Sequence, residues 1–241
     1  IARANGGANA GHTVIPKIGD APLALHQIPS GVAYPGKMNI IGNGVYLDPI
    51  GLLKEIEHVR SGGFSVSPEN LQISYGAHLV LPHHIALDTL RESGENAQSR
   101  TKSGIAYVAS DKYLREGVRA ETISQPKVLL DKVRAGLKEV NSLLPKSSQR
   151  TNEEIDTESG AWVKSAEKLK DYLADTTEII NDRLLNGQKV LAEGAQAYWL
   201  DINHGMYPAV TSSSTTVSGL LDGLGVSAKH IGRVTGVTKS V

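Results

Sequence analysis

The stretch "MNIIGNGVYLDPIGLLKEIEHVRSGG", Met38–Gly63, decides the fold. Two short apolar runs flank Gly42-Asn43-Gly44. Asp48-Pro49 then marks a helix start, because an Asp side chain accepts from unpaired N–H groups and Pro suits the first helical position. Leu52, Leu53, Ile56 and Val59 follow at helical spacing, and Gly62 stands where the helix can end.

The same alternation continues along the chain. "LQISYGAHLVLP" (Leu71–Pro82) reads as a buried strand closed by Pro82. Helical periodicity predicts a helix from about Pro126 to Leu144, with Leu130, Val133, Leu137, Val140 and Leu144 on one stripe. A further helix is predicted from Ala166 to Leu185, carried by Leu169, Leu173, Ile180 and Leu184. "KVLAEGAQ" (Lys189–Gln196) follows as a short strand, and the polar run Pro145–Gly160 reads as a loop or mobile lid. Strands alternating with helices argue for one α/β domain over residues 1–241 with a mainly parallel central sheet flanked by helices. Such sheets carry ligands beyond the carboxyl ends of their strands.

Composition narrows the function. Lys plus Arg equals Asp plus Glu, 25 against 25, so nucleic-acid binding through phosphate neutralisation is disfavoured. The absence of cysteine excludes disulfides, thiolate metal sites and cysteine nucleophiles, and fits a cytoplasmic location. No apolar run approaches the roughly 20 residues of a membrane helix. Ile1 and the strand-like "GVTKSV" at the other end read as cuts in a longer chain.

Three segments carry residue types suited to chemistry. In "GGANAGHTV" (Gly6–Val14), glycines let the backbone approach an anion, Asn9 offers donor and acceptor, and His12 has an ordinary pKa near neutrality for proton transfer. A tight turn capped by a histidine is an equal reading of those residue types. "SRTKSGIAY" (Ser99–Tyr107) has the hydroxyls and N–H groups of a phosphate cradle, or of an exposed loop. "DKYLREGVR" (Asp111–Arg119) adds Lys112, Arg115 and Arg119, which equally suit a solvated helix face. "EGAQAYWLDINHGMYPAVTSSSTT" (Glu193–Thr216) brings Gln196 to a strand end, with Asp201, His204 and Thr211-Ser212-Ser213 behind it; a self-bonded Ω-loop is the alternative. His26, His58 and His230 read as surface or core histidines. His83-His84 is not taken as a zinc site, because no carboxylate lies at a motif distance.

Taken in order, "GGANAGHT", "IPSG" (Ile28–Gly31), "IIGNGV" (Ile40–Val45), "DKYLREGVR" and "EGAQAYWLDINHGMYPAVTSS" resemble the adenylosuccinate synthetases over nearly the whole chain. The resemblance implies a P-loop-NTPase-like fold and a GTP-dependent ligase that joins IMP and L-aspartate into adenylosuccinate, GDP and phosphate. In that family the γ-phosphoryl group moves to O6 of IMP, and the aspartate amine then displaces it. By position, Asn9, Thr101, Arg115, Gln196 and Thr211 match IMP-binding residues. Gly11, His12 and Thr13 match the GTP-facing segment. Gly11 matches the carbonyl ligand of one Mg²⁺ per subunit, and His12 the catalytic proton donor. Arg115 matches an arginine that reaches the neighbouring site of a homodimer.

The chain departs from the family pattern in several places. Ala8 stands where the family has His, and Ser99-Arg100-Thr101 where Gly-Thr-Thr or Gly-Ser-Thr is common. Ala106-Tyr107 replaces Gly-Pro, Met206 replaces Thr, and Ser214 replaces Asn. The family's Gly-rich loop, with its Asp base and Lys, belongs upstream of Ile1; its aspartate-binding and guanine-reading segments belong downstream of Val241. The 241 residues alone are therefore expected not to turn over. Two alternatives stand beside the ligase: a non-catalytic nucleotide-binding or dimerisation module of the same fold, and a dGMP-using 2-aminoadenylosuccinate synthetase.

Overall fold

A computed structural model describes residues 1–17, 19–92 and 101–238. Strands β1 (Ala2–Arg3), β2 (Gly6–Gly7), β3 (His12–Val14), β4 (Leu23–Leu25), β5 (Asn39–Ile41) and β6 (Val45–Leu47) come first. Helix α1 (Pro49–Ser61), strands β7 (Leu71–Ser74) and β8 (His78–Leu79), and helices α2 (Pro82–Glu92), α3 (Ile105–Leu114), α4 (Pro126–Leu143) and α5 (Asn152–Ala166) follow. The chain continues through β9 (Leu173–Ala174), α6 (Thr176–Leu185), β10 (Ala192–Glu193) and α7 (Val217–Leu224).

The central sheet runs β10-β1-β5-β7-β9, and every pairing in it is parallel. Three of its strands stop after two to four residues and resume as a second parallel sheet in the same order, β2-β6-β8. The breaks fall where the chains must approach one another closely. A Cβ on Gly44 would meet the Ala4 carbonyl at 2.2 Å, and one on Gly76 would meet Asn43 Oδ1 at 2.8 Å. This split explains the two apolar runs around Gly42-Asn43-Gly44. It also corrects the single strand expected over Leu71–Pro82: a turn at Tyr75–Ala77 divides it, and Pro82 opens α2 rather than merely closing a strand.

Successive strand residues face opposite layers, as the pleat requires. Ile41 and Ile73 pack with Leu52, Ile56 and Val59 of α1 and with Leu129, Val133 and Leu137 of α4 in the larger core. Ala2 and Ile40 pack on the other face against Ile180 of α6 and Leu224 of α7. Asp48 caps α1 by accepting from Ile50 N–H at 3.1 Å, and Gly62 ends it. Glu55 on α1 is buried; its carboxylate accepts from the N–H groups of His26, Gln27 and Ile28 at 2.7, 2.9 and 3.1 Å and so anchors the chain after β4.

Two expectations need correction. Residues 145–160 are not a continuous loop: a short turn over Lys146–Ser148 leads into α5 at Asn152, whose start is fixed by a Thr151–Glu154 capping box. The helix predicted over Ala166–Leu185 is three elements. α5 ends at Ala166, Leu173–Ala174 joins the sheet as β9, and Asp175 caps a new helix by accepting from Glu178 N–H at 3.0 Å. The leucine spacing runs on across the break because Leu169 still faces the core.

Candidate functional site

Beyond the strand ends lies a hollow of about 690 Å³, within the size range of small-molecule sites. Asn9, Thr101, Gln196 and Thr211 all line it, together with Asp88 and Arg91 of α2 and Ile105 and Ala106 at the start of α3. Four residues from three separate segments thus share one cavity. Asn9 Nδ2 donates to Thr211 Oγ1 at 3.4 Å, while its Oδ1 is buried without a partner among the described residues. Both polar atoms of the Gln196 amide are likewise buried and unpartnered. A buried amide without hydrogen bonds costs on the order of 1–3 kcal/mol. Two amides with unspent capacity on one hollow make a surface suited to a ligand that both donates and accepts.

The α3 end of the hollow has different chemistry. Gly104, at φ 74°, forms the N-cap with no side-chain cap among the described residues, a helix start whose first N–H groups suit an anion. Asp88 Oδ2 accepts from Gly104 N–H at 3.0 Å, and Thr101 and Ser103 hydroxyls lie 2.6 Å apart. Ser99 and Arg100 of the expected cradle lie outside the described residues. Arg115 does not line the hollow. It is exposed at the opposite end of α3, at φ 66°, about 15 Å along the helix axis.

The Glu193–Thr216 loop owes its shape to Asp201, which is fully buried. Its carboxylate accepts from the N–H groups of Asn203, His204 and Thr215 at 2.9, 2.9 and 2.7 Å and from Ser214 Oγ at 3.0 Å. Burial pushes its pKa up, but these donors outweigh that and hold it at about 2. Tyr46 Oη donates to Ser212 O at 3.2 Å and fixes the same loop from β6. The Asp-x-Asn-His pattern was the available sequence signal, since an Asp two residues before a free N–H favours such a turn.

His12 departs most from expectation. It does not line the hollow. Arg3 Nη2 lies 2.8 Å from its Nδ1 and 3.1 Å from its Nε2, and Glu193 Oε1 lies 3.6 Å from Nε2. Arg3 and Glu193 are neighbours in register on β1 and β10 and pair at 3.0 Å. Burial, followed by the positive charge of Arg3, lowers the His12 pKa to about 4, with Glu193 opposing the shift. The imidazole is therefore neutral at pH 7 here, rather than poised near neutrality. Gly11 and Thr13 are exposed beside it.

His83 and His84 do meet a carboxylate, contributed by α3: one ligand-capable atom each from His83, His84 and Asp111 lies within 4.8 Å of the others. The bonding argues against a cation. The Leu81 N–H donates to His84 Nδ1 at 3.0 Å, so the proton resides on Nε2, which donates to Asp111 Oδ2 at 2.9 Å. His84 then has no free lone pair, and the cluster braces α2 against α3.

Gln196 is one of three residues other than glycine with positive φ among the described residues, at 63°. Any Cβ is disfavoured there, so Gln196→Gly is expected to melt about 2–4 °C above Gln196→Ala, the equivalent of ~1 kcal/mol. Thermal unfolding of the two variants checks this, and an alanine variant at least as stable would remove the strain.

The parallel sheet, its flanking helices and the hollow beyond its strand ends place the chain among the α/β proteins. The chain belongs to the adenylosuccinate synthetase family, whose model matches residues 1–241. It is 43% identical over 243 residues to the adenylosuccinate synthetase of Thermodesulfovibrio yellowstonii and 41% identical over 243 residues to that of Oleidesulfovibrio alaskensis. All of this chain is covered in both comparisons, but it spans only 56% of each relative's length. The fully ligated adenylosuccinate synthetase of Plasmodium falciparum superposes with a TM-score of 0.81 at 33% identity, covering 96% of this chain and 53% of that one. Cyanophage S-2L succinoaminodeoxyadenylate synthetase, bound to dGMP and dATP, shares the fold at a TM-score of 0.55 and 21% identity, covering 95% of this chain and 53% of that one.

Proposed function

We propose that the full-length protein carrying this chain is a GTP-dependent ligase that joins IMP to L-aspartate through a 6-phosphoryl-IMP intermediate. The carrying observation is the hollow in which Asn9 and Gln196 keep unpaired amide atoms and Thr101 stands before the uncapped start of α3. A purine 5′-monophosphate fits both ends: its ring edge has donors and acceptors for the amides, and its phosphate suits helix N–H groups. Asn9 and Gln196 orient the base, and Thr211 holds Asn9. Thr101 and the α3 terminus bind the phosphate, so the purine O6 is fixed in position for transfer.

A carbonyl oxygen is a poor leaving group, and phosphorylation makes it a good one. The aspartate amine then attacks C6, forming the C–N bond as the C–O bond to phosphate breaks. His12 gives a hydrogen bond or proton to the transferring group from the ring nitrogen that does not accept from Arg3. Gly11 is exposed, and its carbonyl would be the ligand for Mg²⁺. Mg²⁺ there would neutralise charge on the GTP phosphates. Arg115, exposed and far from its own hollow, reaches the IMP phosphate of the second subunit in a homodimer. The setting is cytoplasmic purine nucleotide synthesis.

The direct test supplies the full-length protein with IMP, GTP, L-aspartate and Mg²⁺. Adenylosuccinate is expected to form with one GDP and one phosphate, and to require all four. Formation of product from dGMP but not IMP would overturn the substrate assignment.

A further inference from the structure

Tyr46 stands on β6 and is 3% exposed. It meets three segments that wall the hollow. Its backbone pairs in register with Gly7 on β2, two residues before Asn9, and a Cβ on Gly7 would lie 2.3 Å from the Tyr46 carbonyl oxygen. Its ring packs with Ile105, Val108 and Ala109 of α3, and Ile105, like Thr101, lines the hollow. The Lys112 ammonium of the same helix lies over the ring, 5.8 Å from its centroid. Its hydroxyl reaches the third segment, where it donates to the carbonyl oxygen of Ser212, and Thr211 and Ser212 both line the hollow.

The hydroxyl has a task separate from the ring. Asp201 holds Asn203, His204, Ser214 and Thr215 from within their own loop, and Thr211 N–H donates to Leu200 O at 2.7 Å, also within it. Three bonds tie residues 211–213 to the chain around β2 and β6. Asn9 donates to Thr211 Oγ1 at 3.4 Å, Asn5 Nδ2 to Ser213 Oγ at 3.5 Å, and Tyr46 to Ser212 O at 3.2 Å, the shortest of the three. Burial, followed by the nearby Tyr113, pushes the Tyr46 pKa up, so the hydroxyl keeps its proton and donates. Phenylalanine would fill the same space and leave the Ser212 carbonyl without this donor. A Thr211 that drifts no longer meets Asn9, and a ligand must then select the loop position it needs, which lowers its apparent affinity.

We propose that Tyr46 is a positioning residue for the ligand in the hollow: its hydroxyl fixes Ser212 and so holds Thr211 against Asn9. The inference rests on the reading of the hollow as a purine monophosphate site. Tyr46 itself does not line the hollow.

The test is a double-mutant cycle in the full-length protein, with IMP and GTP titrated separately by calorimetry. Tyr46→Phe removes the hydroxyl and keeps the ring with its packing on α3, so the variant is expected to fold; thermal unfolding within about 2–4 °C of wild type checks this. Tyr46→Phe is expected to weaken IMP about fivefold, the equivalent of one hydrogen bond, and to leave GTP within about twofold. In a Thr211→Ala background the same change is expected to weaken IMP less than about twofold further, because the side chain that the hydroxyl holds in place is gone. Unchanged IMP affinity in Tyr46→Phe, equal weakening in both backgrounds, or GTP weakened as much as IMP would overturn the proposal. IMP bound by Thr211→Ala as tightly as by wild type would instead remove the nucleotide reading of the hollow.

Discussion

His12→Ala in the full-length protein is expected to lower kcat by about 10²–10⁴-fold, the usual contribution of a positioned acid or base, while changing IMP affinity less than about twofold. The split follows from placement. Asn9, three residues earlier, lines the hollow, whereas His12 is held outside it by Arg3 and Glu193. Removing the imidazole takes no contact from the hollow, and under the proposed mechanism it removes the donor to the transferring phosphoryl group. Steady-state and single-turnover rates with IMP titrations check this, and an unchanged kcat would take His12 out of the mechanism. Arg3 can only donate hydrogen bonds, so a His12 bound to it must accept. A neutral imidazole that accepts from Arg3 at one nitrogen carries its proton on the other, so the Arg3 contact and a donating N–H are compatible in one state.

Arg115→Leu is expected to raise the apparent KM for IMP by about 10–100-fold, the loss of one charge-assisted hydrogen bond of ~1.5–3 kcal/mol. The side chain is exposed and remote from its own hollow, so the loss is expected in the partner's site. Mixing tests that geometry. A dimer of one Arg115→Leu subunit and one Asn9→Ala subunit holds one intact site and one doubly defective site. Random reassortment then restores up to about a quarter of wild-type activity. No recovery after verified subunit exchange would show that Arg115 serves its own subunit or none.

The two long amphipathic stretches that face the core were readable in the sequence. The stripe of α4 matched, with Val133, Leu137 and Val140 buried and Leu129 taking the place expected of Leu130. The polar face of α5 hid a helix, although Thr151 and Glu154 held its capping signal. β9 was missed because a two-residue strand leaves no period to detect, and Leu169 and Ile180 carry a helical rhythm across it. At the site, Asn9, Thr101, Gln196 and Thr211 were found through residue types and family order, and they do share a hollow. Arg3, Asn5 and Glu193 were not found. Their meaning comes from partners far along the chain, and no local pattern encodes an Asn that pairs with a backbone 190 residues away.

That same distance governs how the molecule is made. β1 lies between β5 and β10, yet β10 is synthesised some 190 residues later. At ~5–20 residues per second, one side of β1 waits about 10–40 s on the ribosome for its neighbour. During that interval β1 offers open N–H and C=O groups on that side to a passing chain. Nascent chains stalled before Ala192 are therefore the aggregation-prone species, and chaperone capture should fall off once translation passes that point.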